Sequence, residues 1–286
     1  MTSESVVRMR KIILADHAGF CFGVKLAVDG IAEALEKNCD DWSIGMPIHN
    51  PQEVARLCAK GLKIASNVEE IPCGARVFIR AHGEALSVLK ELQAKDAHVV
   101  DMTCPFVQRA QARAGELSTQ GYHVVLLGDI RHPEIRSIQG HVDGSIDVVA
   151  DEADVAKLSK MRRVALISQT TQREELLASV ASALVPKTEE LHVCNTVCRA
   201  TVERQDAVRG LAGKVDGLVV IGGHESANTA KLRDIGLACG MDVIWIENIG
   251  EFDGRWLMGK DRIGAAAGAS TPEWLITEVC NKIARM

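Results

Sequence analysis

The sequence predicts an α/β fold of three small lobes, each with a parallel sheet, in a pseudo-threefold arrangement around a common centre. Three observations predict it. One plan occurs three times: a short β-rich run, a polar loop, a Cys, then an amphipathic helix. A constant step of 28 residues leads from Cys21 to His49, from Cys104 to His132 and from Cys198 to Ser226. Strands also alternate with helices along the chain, which is the pattern of βαβ units and parallel sheets.

The elements follow in order. The first β-rich run, IILADHAGFC, ends at Cys21, and Val24, Val28, Ile31 and Leu35 then fall at helical period. A strand at 42–44 enters the loop GMPIHNPQE, and a further strand at 76–79 leads to His82. The second run, AHVVDMTC, ends at Cys104; Pro105 suits a first helical position, and Val107, Ala110, Ala114 and Leu117 form the stripe. A strand at 124–127 enters GDIRHPE, and one at 163–167 leads to Gln169-Thr170-Thr171. The third run, ELHVCNTVC, ends at Cys198, with a weaker stripe of Val208, Leu211, Ala212 and Val215. A strand at 218–221 enters GGHESANT, and one at 262–265 leads to Gly268-Ala269-Ser270. Ser270 and Glu273 read as a capping box, with Pro272 just inside the helix.

At 286 residues, 47% hydrophobic and 25% charged, the chain has the material for a packed core. The repeat divides it into lobes at 23–104, 105–197 and 198–283 plus 1–22. Each lobe alone is near the lower size limit for a stable core, so the lobes are expected to pack together. A net charge of −5 and 3% aromatics argue against nucleic acid or an anionic membrane as a partner. No apolar run approaches the ~20 residues of a membrane span. Residues 1–11 are polar and the apolar stretch behind them is short, so a cytoplasmic chain without a signal peptide is expected. Nine cysteines in that setting stay reduced instead of forming a disulfide framework.

In parallel sheets, ligands bind beyond the carboxyl ends of the strands. Cys21, His49, His82, Cys104, His132, Thr170, Cys198, Ser226 and Ser270 are all expected there. Three thiolates suit zinc with a water in the fourth position, or an iron–sulfur cluster with one iron left open. Cys39, Cys58, Cys73, Cys194, Cys239 and Cys280 have no counterpart in the repeat and are read as structural. The three histidines, with Thr170, Ser226, Asn228 and Ser270 at helix N-termini, describe an anion site. Taken singly, Asn50, Asn228 and Ser270 also fit ordinary caps, whereas the histidines do not. Glu134 is the one carboxylate in this ring, either a dipole-favoured first-turn acid or a proton donor.

Nine segments carry a resemblance that runs in order from about Ile12 to Val279. They are 19–25 (GFCFGVK), 48–52 (IHNPQ), 81–83 (AHG), 101–105 (DMTCP), 132–134 (HPE), 169–171 (QTT), 195–198 (NTVC), 226–229 (SANT) and 268–272 (GASTP). Together they resemble the 4-hydroxy-3-methylbut-2-enyl diphosphate reductase family. The resemblance implies three lobes around a central [4Fe–4S] cluster, with the first strand packing into the third lobe. It implies that Cys21, Cys104 and Cys198 hold that cluster with one iron open. It further implies that His49, His82, Ser226, Asn228 and Ser270 hold the diphosphate of an allylic substrate, with backbone help near Ala227. His132 is then near the substrate, and Glu134 with Thr170 delivers the proton. This chain differs from the family pattern at Glu84-Ala85-Leu86, at Ser137 and at Ala227. The first strand is followed by no Gly-rich nicotinamide fingerprint, so electrons are expected singly from a ferredoxin or flavodoxin. Two rivals are another three-cysteine cluster enzyme such as quinolinate synthase, against which the histidine set argues, and a zinc-binding sensor without turnover.

Overall fold

The computed structural model describes residues 10–37 and 41–286; Cys39 and the first nine residues of the 1–22 segment lie outside the described residues. The chain runs β1 (Lys11–Leu14), α1 (Phe22–Lys37), β2 (Asp41–Ile44), α2 (Pro51–Ala59), β3 (Leu62–Ala65), β4 (Arg76–Ile79), α3 (Leu86–Ala94) and β5 (His98–Asp101). It continues with α4 (Pro105–Thr119), β6 (His123–Leu127), α5 (Pro133–Gln139), β7 (Ile146–Val149), α6 (Glu152–Lys157), β8 (Met161–Ser168), α7 (Glu174–Leu184) and β9 (Thr188–Cys194). The last part holds α8 (Arg199–Arg209), β10 (Gly217–Ile221), α9 (Ala227–Ala238), β11 (Val243–Ile246), β12 (Arg262–Ala267) and α10 (Glu273–Ala284).

The strands form three four-stranded sheets, ordered β1-β12-β10-β11, β3-β2-β4-β5 and β7-β6-β8-β9. Every pairing is parallel, as the alternation of strands and helices predicts. The strand before each key cysteine closes the edge of another repeat's sheet, the preceding one for β5 and β9 and the last one for β1. Thus β5 pairs with β4, β9 with β8, and β1 with β12, with Ile12 opposite Ile263. Each sheet also has an outer strand that the repeat analysis did not anticipate: β3, β7 and β11. Each is only four residues long, too short a run to set a period of its own.

Two compact units emerge: residues 10–21, 49–53 and 202–286, and residues 22–37, 41–48 and 54–201. The first unit holds the β1-containing sheet. Val219, Ile221 and Ile263 of its inner strands pack with Leu275, Val279 and Ile283 of α10. The second unit holds the other two sheets. There Val124, Leu126, Ala165 and Ile167 pack against Ala110, Ala114 and Leu117 of α4, the predicted stripe. The central strands β6 and β10 are buried on both faces and read as continuous apolar runs for that reason.

An Arg opens the third predicted strand of every repeat and meets an acid at the base of its sheet. Arg76 Nε donates to Asp41 Oδ1 (2.8 Å), Arg163 Nε to Glu190 Oε2 (2.8 Å) and Arg262 Nη2 to Asp216 Oδ1 (2.9 Å). The Arg262 bonds hold the Asp216 carboxyl down at about 2.

The third stripe needs correction. Helix α8 ends at Arg209, so Leu211, Ala212 and Val215 lie beyond it. Its buried face is polar instead, made of Thr201, Arg204 and Gln205 beside Val208. Hydrophobic periodicity cannot register a face of that kind.

Candidate active site

Each key cysteine stands immediately before a helix: Cys21 before α1, Cys104 before α4 and Cys198 before α8. Helix N-termini present unpaired N–H groups and favour negative charge, which suits thiolate ligands. All three thiols are half-buried and none is in a disulfide. One backbone hydrogen bond recurs at all three. Cys104 N donates to Ala81 O (3.0 Å), Cys198 N to Thr170 O (2.9 Å) and Cys21 N to Ala269 O (3.1 Å). Each acceptor is Thr170 itself or the neighbour of His82 or Ser270, so every cysteine loop is tied to a predicted ligand loop.

In the second unit, Gly23 in the first turn of α1 leaves room for the Cys104 sulfur. A Cβ at Gly23 would stand 2.3 Å from Cys104 Sγ. His82 follows β4 in a tight turn closed by Gly83 N donating to Arg80 O (2.9 Å), with Gly83 at φ +73°. The His82 ring meets the His132 ring edge-on, with centroids 5.3 Å apart. His132 is the N-cap of α5, and its Nδ1 accepts from Glu134 N (3.1 Å). A neutral His132 therefore carries its proton on Nε2. The expectation that the histidines are not caps is wrong here: His132 caps because Nδ1 can reach the N2 amide as an Asx oxygen would.

Glu134 is 2% exposed. Its Oε1 accepts from Thr170 N (2.6 Å) and its Oε2 from Thr170 Oγ1 (2.9 Å). Burial pushes this carboxyl up to about 7, while the two Thr170 bonds pull the other way. Thr170 thus holds the acid with its N–H and hydroxyl and Cys198 with its carbonyl. Beside it, Thr196 Oγ1 donates to Ser168 O (2.6 Å), fixing the segment that leads to Cys198.

Two of this chain's differences from the family pattern meet partners of their own. Ser137 Oγ accepts from Gln111 Nε2 (2.6 Å) in a buried pair beside Gly83. Glu84 is buried and pairs with Arg80 Nη2 at 2.5 Å, bracketing His82. Burial pushes the Glu84 carboxyl up, and the Arg80 charge opposes it.

In the first unit, Ser270 Oγ donates to His49 O (3.0 Å), joining the loops after β12 and β2. Ser270 is not the expected capping-box residue, because α10 starts at Glu273 with Pro272 as its cap residue. Ser226 caps α9, its Oγ accepting from Thr229 N (3.3 Å). Asn50 caps α2 by accepting from Glu53 N (2.9 Å). Ala227 is the first residue of α9, where a backbone N–H has no partner inside the helix. Asn228 follows at 4% exposure, and neither its amide oxygen nor its amide nitrogen meets a hydrogen-bond partner among the described residues. It is not a cap. An orphaned buried amide costs about 1–3 kcal/mol per polar group, which a polar ligand would relieve.

The LytB protein family model matches residues 12–284. The chain belongs to the LytB protein family. Among its relatives in this family, the 4-hydroxy-3-methylbut-2-enyl diphosphate reductase of Geobacter sulfurreducens is 42% identical over 273 residues, 96% of either chain. The enzyme of that name from Campylobacter hominis is 40% identical over 277 residues, 96% of this chain and 99% of its own. A solved structure of (E)-4-hydroxy-3-methyl-but-2-enyl diphosphate reductase, described as the terminal enzyme of the non-mevalonate pathway, is 39% identical. It covers 97% of this chain and all of its own, with a TM-score of 0.71. The Plasmodium falciparum E-1-hydroxy-2-methyl-but-2-enyl-4-diphosphate reductase shares the fold, at TM-score 0.90 and 22% identity over 96% of this chain and 88% of its own.

Among the described residues, the other cysteines of this LytB-family chain behave as small apolar groups or surface thiols. Cys194 packs in the core beside α4, and burial pushes the Cys280 thiol up to about 11. Cys58, Cys73 and Cys239 are exposed. No helix among the described residues is long and apolar enough to cross a membrane. Sequence reasoning passed over Gly23, whose signal is a close approach.

Proposed function

We propose that this chain reduces (E)-4-hydroxy-3-methylbut-2-enyl diphosphate to isopentenyl and dimethylallyl diphosphate, consuming two electrons and two protons and releasing water. The names of its relatives at about 40% identity over nearly the full chain support this reading. The observation that carries it is the buried Glu134 carboxyl, raised to about 7 and gripped by Thr170 next to the Cys198 loop. An allylic hydroxide leaves poorly unless protonated, and an acid poised near neutrality supplies that proton.

Cys21, Cys104 and Cys198 are the proposed ligands of a [4Fe–4S] cluster in this reading. The donor set suits it: three half-buried thiols at helix N-termini, one with its space kept open by Gly23. When bound, such a cluster supplies single electrons and, through an iron with no protein ligand, a Lewis acid for the substrate hydroxyl. The protein's own groups do the rest. Asn228, Ser226, Ser270, His49 and His82 bind the diphosphate, with the α9 N-terminus at Ala227 adding backbone N–H groups. His132 offers Nε2–H to the substrate. Glu134 gives its proton to the departing hydroxyl, oriented by Thr170. The reading also includes a ferredoxin or flavodoxin as donor, a cytoplasmic setting, and lobe limits at 23–104, 105–197 and 198–283 plus 1–22.

Glu134→Gln tests the acid. It keeps the shape and the partners of the carboxyl but has no proton to give. Turnover is expected to fall at least ~10²-fold with substrate affinity and iron content retained. Near-normal turnover in this variant would show that the proton has another source.

A further inference from the structure

We infer that Glu84 is a positioning residue for His82, acting through an ion pair with Arg80 that closes over the turn between them. The inference rests on the reading of His82 as a diphosphate ligand. Arg80 and Glu84 flank the turn that carries His82, and Arg80 Nη2 lies 2.5 Å from Glu84 Oε1. Both side chains are largely withdrawn from water, at 19% and 10% exposure. The turn's backbone is closed by Gly83 N donating to Arg80 O. The same arginine therefore holds the turn with its carbonyl and with its guanidinium.

The surroundings tie this turn to the rest of the second unit. The Arg80 guanidinium lies on Gly45, where a Cβ would stand 2.6 Å from Nη1. On another side Gly83 faces the buried Gln111–Ser137 pair, and a Cβ there would stand 2.7 Å from Ser137 Oγ. Just beyond the turn, Leu86 N donates to Gly140 O (3.4 Å) at the end of α5. The cap of that helix is His132, whose ring His82 meets edge-on. Burial pushes the Glu84 carboxyl up, while the charges of Arg80 and of Arg136 on α5 oppose that. Neutralising Glu84 strands the Arg80 charge in a mostly dry place, and a guanidinium in that position moves toward water. The turn that it closes then loosens. A ligand side chain held in place beforehand loses less freedom when the ligand binds, so a loosened His82 binds more weakly.

Inorganic diphosphate is the probe, titrated calorimetrically into iron-replete protein under anaerobic conditions. Glu84→Ala is expected to weaken binding about tenfold, and Glu84→Gln, which keeps an oxygen beside Arg80, about threefold. The KM for the allylic substrate should rise to match while kcat is retained. Placed in the His82→Ala background, either change should cost nothing further, because Glu84 acts through His82. Unchanged binding in both Glu84 variants overturns the inference. So does a loss of the same size with His82 already removed, which would assign Glu84 to the fold at large. If Glu84→Ala does not fold, the Gln variant in the two backgrounds decides the same question. If His82→Ala alone binds diphosphate as wild type does, the reading of His82 as a ligand fails and the inference with it.

Discussion

Holding a carboxyl at 2% exposure makes its ionisation costly, and Glu134 shows what that does for chemistry and stability. From pH 4.5 to about 7 the folded chain keeps a proton on Glu134 that the unfolded chain has lost. Folding therefore weakens as pH rises through that window, by about 3 kcal/mol in all, and stays weakened above it. Glu134→Gln removes the ionisation, so at pH 8 this variant should melt above wild type although it turns over far more slowly. Near pH 4 the two melting temperatures should converge. Equal melting temperatures at pH 8 would contradict a raised carboxyl. Turnover by wild type should likewise fall above pH 7 as the acid form is lost. Asn228 gives a second case, because its buried amide meets no hydrogen-bond partner among the described residues. Asn228→Ala should weaken substrate binding by about 1–3 kcal/mol without lowering the melting temperature of the free protein. Unchanged affinity would mean that Asn228 serves the fold alone. Glu134 was legible in the sequence as the only carboxylate at a repeat position. The resemblance pairs it with Thr170, but that both donors of Thr170 point to the carboxyl was not legible, since the two residues lie 36 apart. Arg204 was hidden because a charged residue on a helix reads as a solvent face until its burial is seen.

At the level of elements, the cysteine-bearing turns were legible because each combines a β-rich run, a cysteine and a helical stripe. Their anchoring was not. The bond from each cysteine N–H to a carbonyl beyond a neighbouring strand depends on which strands are adjacent, and that emerges only from the sheet order. Helix caps were read with mixed success for a local reason. Ser226 and Asn50 cap as their types suggest, whereas Ser270 lies short of its helix and His132 caps in place of an Asx residue. The approach of α1 to the Cys104 turn yields an element-scale prediction. Alanine normally stabilises a helix relative to glycine by about 1 kcal/mol. At Gly23 the added methyl would meet Cys104 Sγ at 2.3 Å and Cys104 Cβ at 2.9 Å, so the turn must shift. Gly23→Ala should keep its helical circular dichroism and lose bound iron. Full iron content in that variant would show that the Cys104 sulfur needs no such room.

Across the molecule, the threefold repeat is what the sequence expressed most clearly. The 28-residue step, the Arg that opens each third strand and the parallel connectivity all recur in the three sheets. The outer strands β3, β7 and β11 escaped because each is only four residues long, too short to establish a period even where, as in β11, every residue is apolar. The repeat also predicts which thiols matter. Serine at Cys21, Cys104 or Cys198 should each lower bound iron, whereas serine at Cys58, Cys194 or Cys280 should not. Iron loss confined to the second set would reverse the assignment. The central claim is reductive loss of the allylic hydroxyl, and anaerobic turnover tests it most directly. Iron-replete protein is mixed with (E)-4-hydroxy-3-methylbut-2-enyl diphosphate and a one-electron chemical reductant, and the products are separated and identified. Isopentenyl and dimethylallyl diphosphate, formed with two electrons consumed per molecule of substrate, are the predicted result; an intact substrate after many equivalents of reductant would contradict the account.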